Sequence, residues 1–296
     1  MIIVELKGGL GNQMFQYAAA RGHAKKNEPI YLDHSFLEKN FEDQEHFTAR
    51  HYELHIFKNL NIRSVKKWQI ALFKDDTFVY KLARLFLRRY MKNIREENNE
   101  FIPFDSFPPP NILYLEGYFQ SEKYWGINGE AISKAFQFPE LDPDNEATGK
   151  KIQHAVNSVS LHIRRGDYAT STMNAAIHGV LPLAYYYEAL DVLRSKCPTC
   201  ALFVFSDDAE WVRENLKLNK LSVCYIENNK GEHSWKDMAL MGHCKHHIIA
   251  NSSFSWWGAW LNPKPGKIII APKKWFNDPI LNLQADSIIP DTWITI

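Results

Sequence analysis

Apolar and polar positions at the start of the chain predict a strand, a helix and a second strand. Ile2–Leu6 is a short β-rich apolar run that ends at two glycines. Asn12–Lys26, rich in Ala, Gln and Met, predicts a helix, and Ile30–Leu32 predicts a second buried strand. This order, with a glycine turn after the first strand, is typical of an α/β domain that starts with a parallel sheet.

The same alternation begins again in the second half of the chain, after a Pro- and Asp-rich stretch at 138–144 that we interpret as the linker. We predict an α/β fold with two Rossmann-like domains, residues 1–150 and 151–296, that face each other across a cleft. The predicted strands of the second domain are Val159–Ile163, Leu202–Phe205, Leu221–Ile226, His247–Ala250 and Lys267–Ala271. Its predicted helices are Pro182–Lys196, Asp208–Leu216, Ser234–Cys244 and Phe254–Leu261.

Residues 65–100 form a basic segment in the first domain that we predict to be helical. Phe78, Leu82, Leu85 and Phe86 recur at helical spacing, with lysines and arginines between them. We favour an amphipathic helix whose apolar stripe packs on its own domain. A helix that lies on a membrane surface is the alternative.

Composition narrows the class of protein. The chain has 296 residues, 45% of them hydrophobic, and 35 basic against 34 acidic residues, which argues against a nucleic-acid binder. Four scattered cysteines, including a lone CxxC at Cys197 and Cys200, fit structural thiols in a reducing compartment. Because we find neither a signal peptide nor a membrane-spanning run, we expect a cytoplasmic protein, and leave open a peripheral contact with the inner face of the cell membrane.

A glycine-rich turn, Lys7–Gln13, lies between the first strand and the first helix. Gly9 and Gly11 let backbone N–H groups approach a ligand, and Asn12 and Gln13 add donors and acceptors that suit hydroxyl groups. The spacing is that of neither a Rossmann fingerprint nor a phosphate-binding P-loop. A tight turn with no ligand is the alternative.

A more specific motif follows the strand Val159–Ile163. His162 and Arg164 share one face of this strand, and Arg165 and Asp167 come just after it. Open α/β sheets bind ligands at the carboxyl ends of their strands, and the planar guanidinium group matches phosphate. An ion-pair cluster of Arg164 or Arg165 with Asp167 is the structural alternative.

Two further strand ends carry polar residues. Asp207 and Asp208 follow one strand, where a carboxylate suits guanine N–H groups or ribose hydroxyls, unless Asp207 only caps the next helix. Another strand is followed by residues whose hydroxyl and helix N-terminal N–H groups suit phosphate. These residues are Asn251, Ser252, Ser253 and Phe254.

Two segments have the composition of metal sites without the spacing. His243–His247 fits no zinc pattern, because it joins a helix end to a buried strand. Asp142-Pro143-Asp144 matches a DxD signature only in its letters, within the predicted linker. We therefore expect no metal and no other cofactor.

Taken in order and spacing, these motifs resemble the bacterial galactoside α-1,2-fucosyltransferases of glycosyltransferase family 11. The matching segments are Gly8–Ala18, His162–Asp167, Phe205–Asp208 and Asn251–Trp257. The resemblance implies a GT-B-like fold with an acceptor-side domain 1–150 and a GDP-fucose-binding domain 151–296. It also implies metal-independent, inverting transfer of L-fucose from GDP-β-L-fucose to the 2-hydroxyl of a terminal galactose.

Similarity to more distant fucosyltransferases implies roles for single residues. Arg164 would contact the diphosphate with Ser252 and Ser253, and Asp207 or Asp208 would hold the guanine side. The turn with Asn12 would lie beside the reacting fucose.

Several alternatives stay open. Asp167 and His162 are the candidates nearest in sequence for a general base. The acceptor is left open among lactose, N-acetyllactosamine and a lipopolysaccharide or O-antigen glycan. A fucosyltransferase of another linkage, a non-catalytic nucleotide-sugar or glycan binder, and a metal-dependent transferase that uses Asp142 and Asp144 are the other functions considered.

Overall fold

The chain forms two compact units. The computed structural model describes residues 1–42, 49–98, 100–104, 111–170, 172–218, 221–283 and 285–296. Unit 1 comprises Met1–Pro139 with Gln284–Ile288, and unit 2 comprises Glu140–Leu283 with Ile289–Ile296. The division therefore falls within the predicted linker rather than at residue 150, a position that lies inside the helix Pro143–His154. This helix belongs to unit 2 because its Ile152 packs in a core cluster with Phe203 and Leu240.

Unit 1 contains a parallel sheet with the strand order β3-β2-β1-β5-β4. All four residues of its central strand β1 are buried, as expected for a parallel strand covered on both faces. The strands are β1 Ile2–Glu5, β2 Ile30–Asp33, β3 Ile62–Ser64, β4 Met91–Arg95 and β5 Ile112–Glu116. The helices are α1 Leu10–His23, α2 Ser35–Lys39, α3 Lys67–Lys74, α4 Phe78–Leu87 and α5 Gly129–Ala135.

The prediction of one helical segment over residues 65–100 was partly wrong. The helix is interrupted after Lys74, where the Asp75 carboxylate accepts a hydrogen bond from the Thr77 N–H at 2.8 Å. The segment then ends in strand β4, which pairs with β5 at the edge of the sheet. Lys92 and Arg95 give β4 the charged composition with which proteins protect an edge strand, and this composition hid the strand in the sequence.

The favoured prediction for helix α4 was also wrong. None of its residues is buried, and the apolar stripe faces solvent instead of the domain. Arg84 holds the other side of the helix in place through the Asp76 carboxylate at 3.1 Å and the Asp75 carbonyl at 2.8 Å. No helix within the described ranges is long and apolar enough to cross a membrane.

Unit 2 contains a second parallel sheet, with the strand order β11-β10-β9-β6-β7-β8. The strands are β6 Ser158–Ile163, β7 Ala201–Ser206, β8 Ser222–Ile226, β9 His246–Ile248, β10 Ile269–Ala271 and β11 Ile294–Thr295. The helices are α6 Pro143–His154, α7 Gly166–Thr170, α8 Thr172–Ile177, α9 Leu183–Lys196, α10 Ala209–Asn215, α11 Trp235–His243, α12 Ser253–Trp260 and α13 Pro279–Leu283. This is the strand order of the Rossmann fold.

Two apolar layers cover the faces of this sheet. Leu161 and Ile163 of β6 pack with α9 on one face. Phe203 and Phe205 of β7 pack with residues of α6 and α11 on the other. His162 is buried on the face of β6 opposite Leu161, as the alternation of the strand predicts.

Candidate active site

The predicted motifs of unit 2 follow three strands that are neighbours in the sheet. β6 lies between β7 and β9, and the chain order of the strands reverses between β6 and β9. Open α/β sheets bind ligands beyond the carboxyl ends of the strands at such a reversal. Arg164 follows β6 there, and Ser252 lies close behind the end of β9. The strand order of unit 2 alone therefore indicates the carboxyl ends of β6 and β9 as the candidate site.

Two parallel ion pairs connect the ends of β6 and β7. Arg164 Nη1 lies 2.9 Å from Asp207 Oδ2, and Arg165 Nε lies 3.1 Å from Asp208 Oδ2. The predicted alternative named Asp167 as the partner, and the side chain of Asp167 lies outside the described residues, so that alternative stays a prediction. Each carboxylate lowers the cost of holding an arginine at a partly buried position.

Arg165 is fixed more rigidly than a surface arginine. Its guanidinium carbon lies 3.5 Å from the centroid of the Trp211 ring, in addition to its pairing with Asp208. Asp208 also accepts a hydrogen bond from the Trp211 N–H at 3.3 Å and is thereby the N-cap of α10. The helix-capping role considered for Asp207 therefore belongs to Asp208. Arg165, Asp208 and Trp211 form a support beside Arg164.

Asp207 connects the side chain of Arg164 to the backbone of the motif. Its Oδ1 accepts the Arg165 N–H at 2.9 Å, while its Oδ2 pairs with Arg164. Gly166 is required next to this carboxylate, because a Cβ at Gly166 would lie 2.4 Å from Asp207 Oδ2. The glycine of the motif thus leaves space for the group that orients Arg164. Asp167 lies in helix α7, but its side chain is outside the described part of the structure.

His162 is buried and uncharged at neutral pH. Burial lowers its pKa to about 3, and the positive charge of Arg164 adds to this effect. Its Nδ1 is buried without a hydrogen-bond partner in the described part of the chain. Buried polar atoms are rarely left unpaired in proteins, so this nitrogen is an exception. An imidazole with so low a pKa is a weak proton acceptor.

The segment after β9 brings the N-terminus of α12 close to His162. The ring centroids of His162 and Phe254 lie 5.9 Å apart. The Ser252 hydroxyl caps α12 by accepting the Phe254 N–H at 3.3 Å, and Ser253 is the first residue of the helix. First-turn N–H groups have no partner within a helix and carry its positive dipole end. This end of α12 is therefore suited to an anionic group.

Asn251 holds this segment in place. Its side-chain amide nitrogen donates to the carbonyls of His178, Gly179 and Trp275 at 2.9, 3.2 and 3.2 Å. Its Oδ1 is buried without a partner among the described residues. The tryptophans of the motif, Trp256 and Trp257, are fully buried and pack in the interior.

The glycine-rich turn lies in unit 1, after β1. Gly8 has a φ of +75°, and a Cβ there would lie 2.4 Å from Asn12 Nδ2, so this position requires glycine. Asn12 Oδ1 accepts a hydrogen bond from Gln120 Nε2 at 2.7 Å. Gln13 is buried, and its amide binds the carbonyls of Gly8 and His51 at 2.9 and 2.7 Å. Gln13 therefore shapes the turn, whereas Asn12 remains partly exposed.

A carboxyl group that the sequence analysis missed lies at the start of α1. Glu53 accepts a hydrogen bond from the Leu10 backbone, and burial raises its pKa. Its Oε2 would be 3.6 Å from a Cβ placed on Gly9, the N-cap of α1. Arg50 lies beside the same position and offsets the charge of this carboxyl group. The start of α1 therefore carries an acidic and a basic group together, whereas α12 has no acidic residue in its first turn.

A second missed carboxyl group lies on α11. Asp237 accepts a hydrogen bond from Asn229 Nδ2 at 2.7 Å, and Asn229 in turn exchanges hydrogen bonds with Asn145. Burial raises the pKa of Asp237 to about 7. Ser234, at the start of this helix, makes no side-chain capping bond. Only the fold brings Asn229 and Asn145 to this carboxyl group.

The two segments with metal-site composition have structural partners. Asp142 caps α6 through the Asn145 N–H at 3.1 Å, and its hydrogen bond with Lys236 holds the pKa of Asp142 below its usual value. His246 accepts the Ile268 N–H, and the ring nitrogens of His247 bind Ser160 and Asn262. Within the described residues, no three His, Cys, Asp or Glu side chains are grouped so as to hold a metal ion.

Comparison with known proteins identifies the family of the chain. The sequence model of glycosyl transferase family 11 matches residues 1–296. O-antigen biosynthesis glycosyltransferase WbnK of Escherichia coli is 34% identical, over 98% of this chain and 99% of that protein. An alpha-1,2-colitosyltransferase of Escherichia coli is 32% identical, over 100% of this chain and 99% of that protein. Galactoside alpha-(1,2)-fucosyltransferase 1 of Saimiri sciureus is 36% identical over a shorter match, 35% of this chain and 28% of that protein.

A solved structure supports the fold class. A mutant of Arabidopsis thaliana FUT1 in complex with GDP superimposes with a TM-score of 0.50 at 11% identity, over 90% of this chain and 69% of that chain. Two parallel sheets flanked by helices confirm the predicted GT-B-like α/β class. The full-length sequence match decides the family. The chain is a glycosyltransferase and belongs to glycosyl transferase family 11.

Proposed function

We propose that this glycosyltransferase transfers L-fucose from GDP-β-L-fucose to the 2-hydroxyl of a terminal galactose, with inversion and without a divalent metal ion. The observation that carries the proposal is the position of Arg164 at the end of β6, beside the strand that leads into the N-terminus of α12. The relatives named for α-1,2 transfer support the linkage.

The diphosphate is the leaving group, and its negative charge must be stabilised as it departs. A guanidinium group and the N–H groups of a helix end provide this stabilisation without a metal ion. Arg164 retains 24% of its side-chain exposure while it pairs with Asp207. Its guanidinium has five N–H donors, more than one carboxylate uses, so it can bind phosphate oxygens with Asp207 still in place. Arg165, which contacts Asp208 and Trp211, then has an indirect role, namely to support Arg164.

The reaction is a single displacement at the anomeric carbon. The bond between C1 of fucose and the β-phosphate oxygen breaks, and its electron pair leaves with GDP. The 2-hydroxyl oxygen of galactose forms the new bond to C1 from the opposite face, which inverts the anomeric configuration. The proton of that hydroxyl passes to a base or to solvent. Stabilising the leaving group is therefore the main contribution that we assign to the protein.

The candidate proton acceptor in unit 2 is Asp167, which lies in the arginine motif. The low pKa of His162 makes it the weaker of the two groups considered. If Asp167 is the base, Asp167→Asn lowers kcat by about 10²–10⁴-fold, and the acidic limb of the pH profile disappears. If Asp167→Asn keeps kcat, the proton goes to another group or to solvent.

The relatives leave a choice of donor and acceptor within the same chemistry. The alpha-1,2-colitosyltransferase matches the whole chain, and colitose is fucose without its 3-hydroxyl. A GDP-linked deoxysugar other than fucose is therefore the second candidate donor. The match to WbnK supports an O-antigen glycan as the acceptor, with lactose and N-acetyllactosamine as simpler galactosides to test.

One incubation tests this function. The purified chain is mixed with GDP-fucose, EDTA and a panel of β-galactosides, and the released GDP and the linkage of the product are measured. We expect a 2-linked α-fucoside from galactose-terminated acceptors only. A product of another linkage, GDP release that requires manganese, or no GDP release with any donor and acceptor pair would contradict the proposal. Parallel reactions with GDP-colitose decide between the donors.

Arginine variants separate the catalytic claim from folding. Arg164→Ala is expected to lower kcat by about a hundredfold or more, because it removes a charge from the leaving group. The matched control is Arg213→Ala, which breaks an exposed ion pair with Glu227 elsewhere in unit 2 and is expected to keep its activity. If Arg164→Ala were as active as the control, the assignment of the leaving-group site would be wrong.

A further inference from the structure

Helix α4 exposes an apolar face to solvent. Phe78, Leu85 and Phe86 are 79%, 58% and 73% exposed, and Leu82 and Val79 are 42% and 70% exposed. At 100° per residue these five side chains fall on one side of the helix. Tyr80 and Leu87, less exposed, lie on the side that faces the domain. Five adjacent large apolar side chains form a patch of the kind that marks an interaction site.

The charges within and just after α4 are all basic, and the acidic residues Asp75 and Asp76 precede the helix. Residues 78–92 contain five basic side chains and no acidic one. The basic residues are Lys81, Arg84, Arg88, Arg89 and Lys92. Lys81 and Arg88 lie along one edge of the apolar face, and both are exposed. Arg84 is the member that pairs with an acidic group, Asp76.

We propose that α4 docks this enzyme on the surface of an anionic phospholipid bilayer. An amphipathic helix with aromatic and aliphatic residues on one face and basic residues at its edge lies in the plane of a membrane interface. Its apolar side chains enter the boundary between headgroups and acyl chains, and its lysines and arginines bind the headgroup phosphates. An acidic protein partner would match the charges alone, and an apolar one would match only Phe78, Leu85 and Phe86. An anionic membrane matches both.

Docking through α4 would place the enzyme where lipid-linked acceptors are found. This consequence does not depend on which sugar is transferred, because no residue of the candidate active site lies on α4. Membrane binding and turnover of a soluble galactoside are therefore expected to vary independently.

Vesicle sedimentation of the full chain tests the proposal. We expect the protein to sediment with vesicles of phosphatidylcholine and phosphatidylglycerol but not with phosphatidylcholine alone, and added salt to release it. The triple variant Phe78→Ser, Leu85→Ser, Phe86→Ser should lose at least about tenfold of its partition coefficient. Its matched control replaces three exposed apolar residues outside α4 and should bind as the wild type does. The control substitutions are Ile127→Ser, Val156→Ser and Leu283→Ser.

A charge-reversal pair tests the electrostatic part. Lys81→Glu with Arg88→Glu should weaken binding to anionic vesicles by about fivefold or more for each residue. Lys26→Glu with Lys58→Glu has the same change in net charge at other exposed positions of unit 1 and should weaken binding much less. Both α4 variants should keep their activity on soluble galactosides, which shows that they fold.

Three results would overturn the proposal. The first is equal vesicle binding by the α4 variants and their controls. The second is no binding of the wild type to anionic vesicles. The third is a wild-type dimer, measured by light scattering without lipid, that the serine variant abolishes, because the apolar face would then be covered by a second copy of the chain.

Discussion

The substitution Gly166→Ala tests whether Asp207 orients Arg164. The added Cβ would lie 2.4 Å from Asp207 Oδ2 and 3.1 Å from its Cγ, closer than such atoms approach one another. The carboxylate must therefore move away from Arg164 Nη1, now at 2.9 Å, and from the Arg165 N–H, also at 2.9 Å. The guanidinium remains in the protein, but it loses the carboxylate that Asp207 provides.

The magnitude follows from these two hydrogen bonds. Each involves a charged group, but both partners of the ion pair are about a quarter exposed, 24% and 25%, so solvent screens part of the interaction. We expect a combined loss of about 1–3 kcal/mol, from which the better helix propensity of alanine subtracts about 0.5–1 kcal/mol. The net effect is a decrease of up to about 2.5 kcal/mol in the free energy of unfolding.

The same displacement should weaken GDP binding by about tenfold, because the positive charge of Arg164 is then less well oriented towards the bound nucleotide. Calorimetric titration with GDP and urea unfolding measure the two effects. Gly242→Ala is the control, since its Cβ would meet only the Gly258 carbonyl at 3.7 Å, an ordinary contact. Wild-type GDP affinity and stability in Gly166→Ala would show that Asp207 does not position Arg164.

Three further predictions concern pH, metal and the core. The folded chain holds His162 unprotonated down to a pKa of about 3, whereas the unfolded chain binds a proton near pH 6.5. The free energy of unfolding should therefore fall as the pH drops from about 6.5 towards 3, and His162 contributes at most ~1.4 kcal/mol per pH unit. Urea titrations of His162→Gln should show a smaller dependence on pH. The double variant Asp142→Asn, Asp144→Asn should keep its activity in EDTA, and a metal-restored activity in the wild type alone would contradict this. Trp257→Ala, at a fully buried position, should cost about 3–5 kcal/mol in thermal or urea unfolding.

The periodicity of the sequence predicts most of unit 2. Its strands β6, β7 and β8 begin and end within one residue of the predicted bounds, because short runs rich in apolar residues are bounded there by turn residues. The same logic places Arg164 and Ser252 at strand ends. That these ends are adjacent follows only from the strand order of the folded sheet.

What could not be predicted depends on contacts distant in sequence. Arg164 pairs with Asp207, about forty residues away along the chain, and no local pattern distinguishes Asp207 from Asp167 as its partner. Glu53 reaches the start of α1 from another segment of unit 1. The exposure of α4 was missed for another reason. An apolar stripe at helical spacing indicates that one face of the helix is covered. It does not indicate whether the protein's own core or another surface covers that face.

Binding of GDP in the presence of EDTA tests the central claim most directly. The affinity for GDP is measured by calorimetry, once with EDTA and once with manganese. The proteins compared are the wild type, Arg164→Ala and Arg213→Ala. The measurement distinguishes the guanidinium from a divalent cation as the group that holds the diphosphate. We predict the same affinity of the wild type in both conditions and a loss of about thirtyfold or more in Arg164→Ala alone. Loss of GDP binding in EDTA, together with unchanged affinity in Arg164→Ala, would contradict the account.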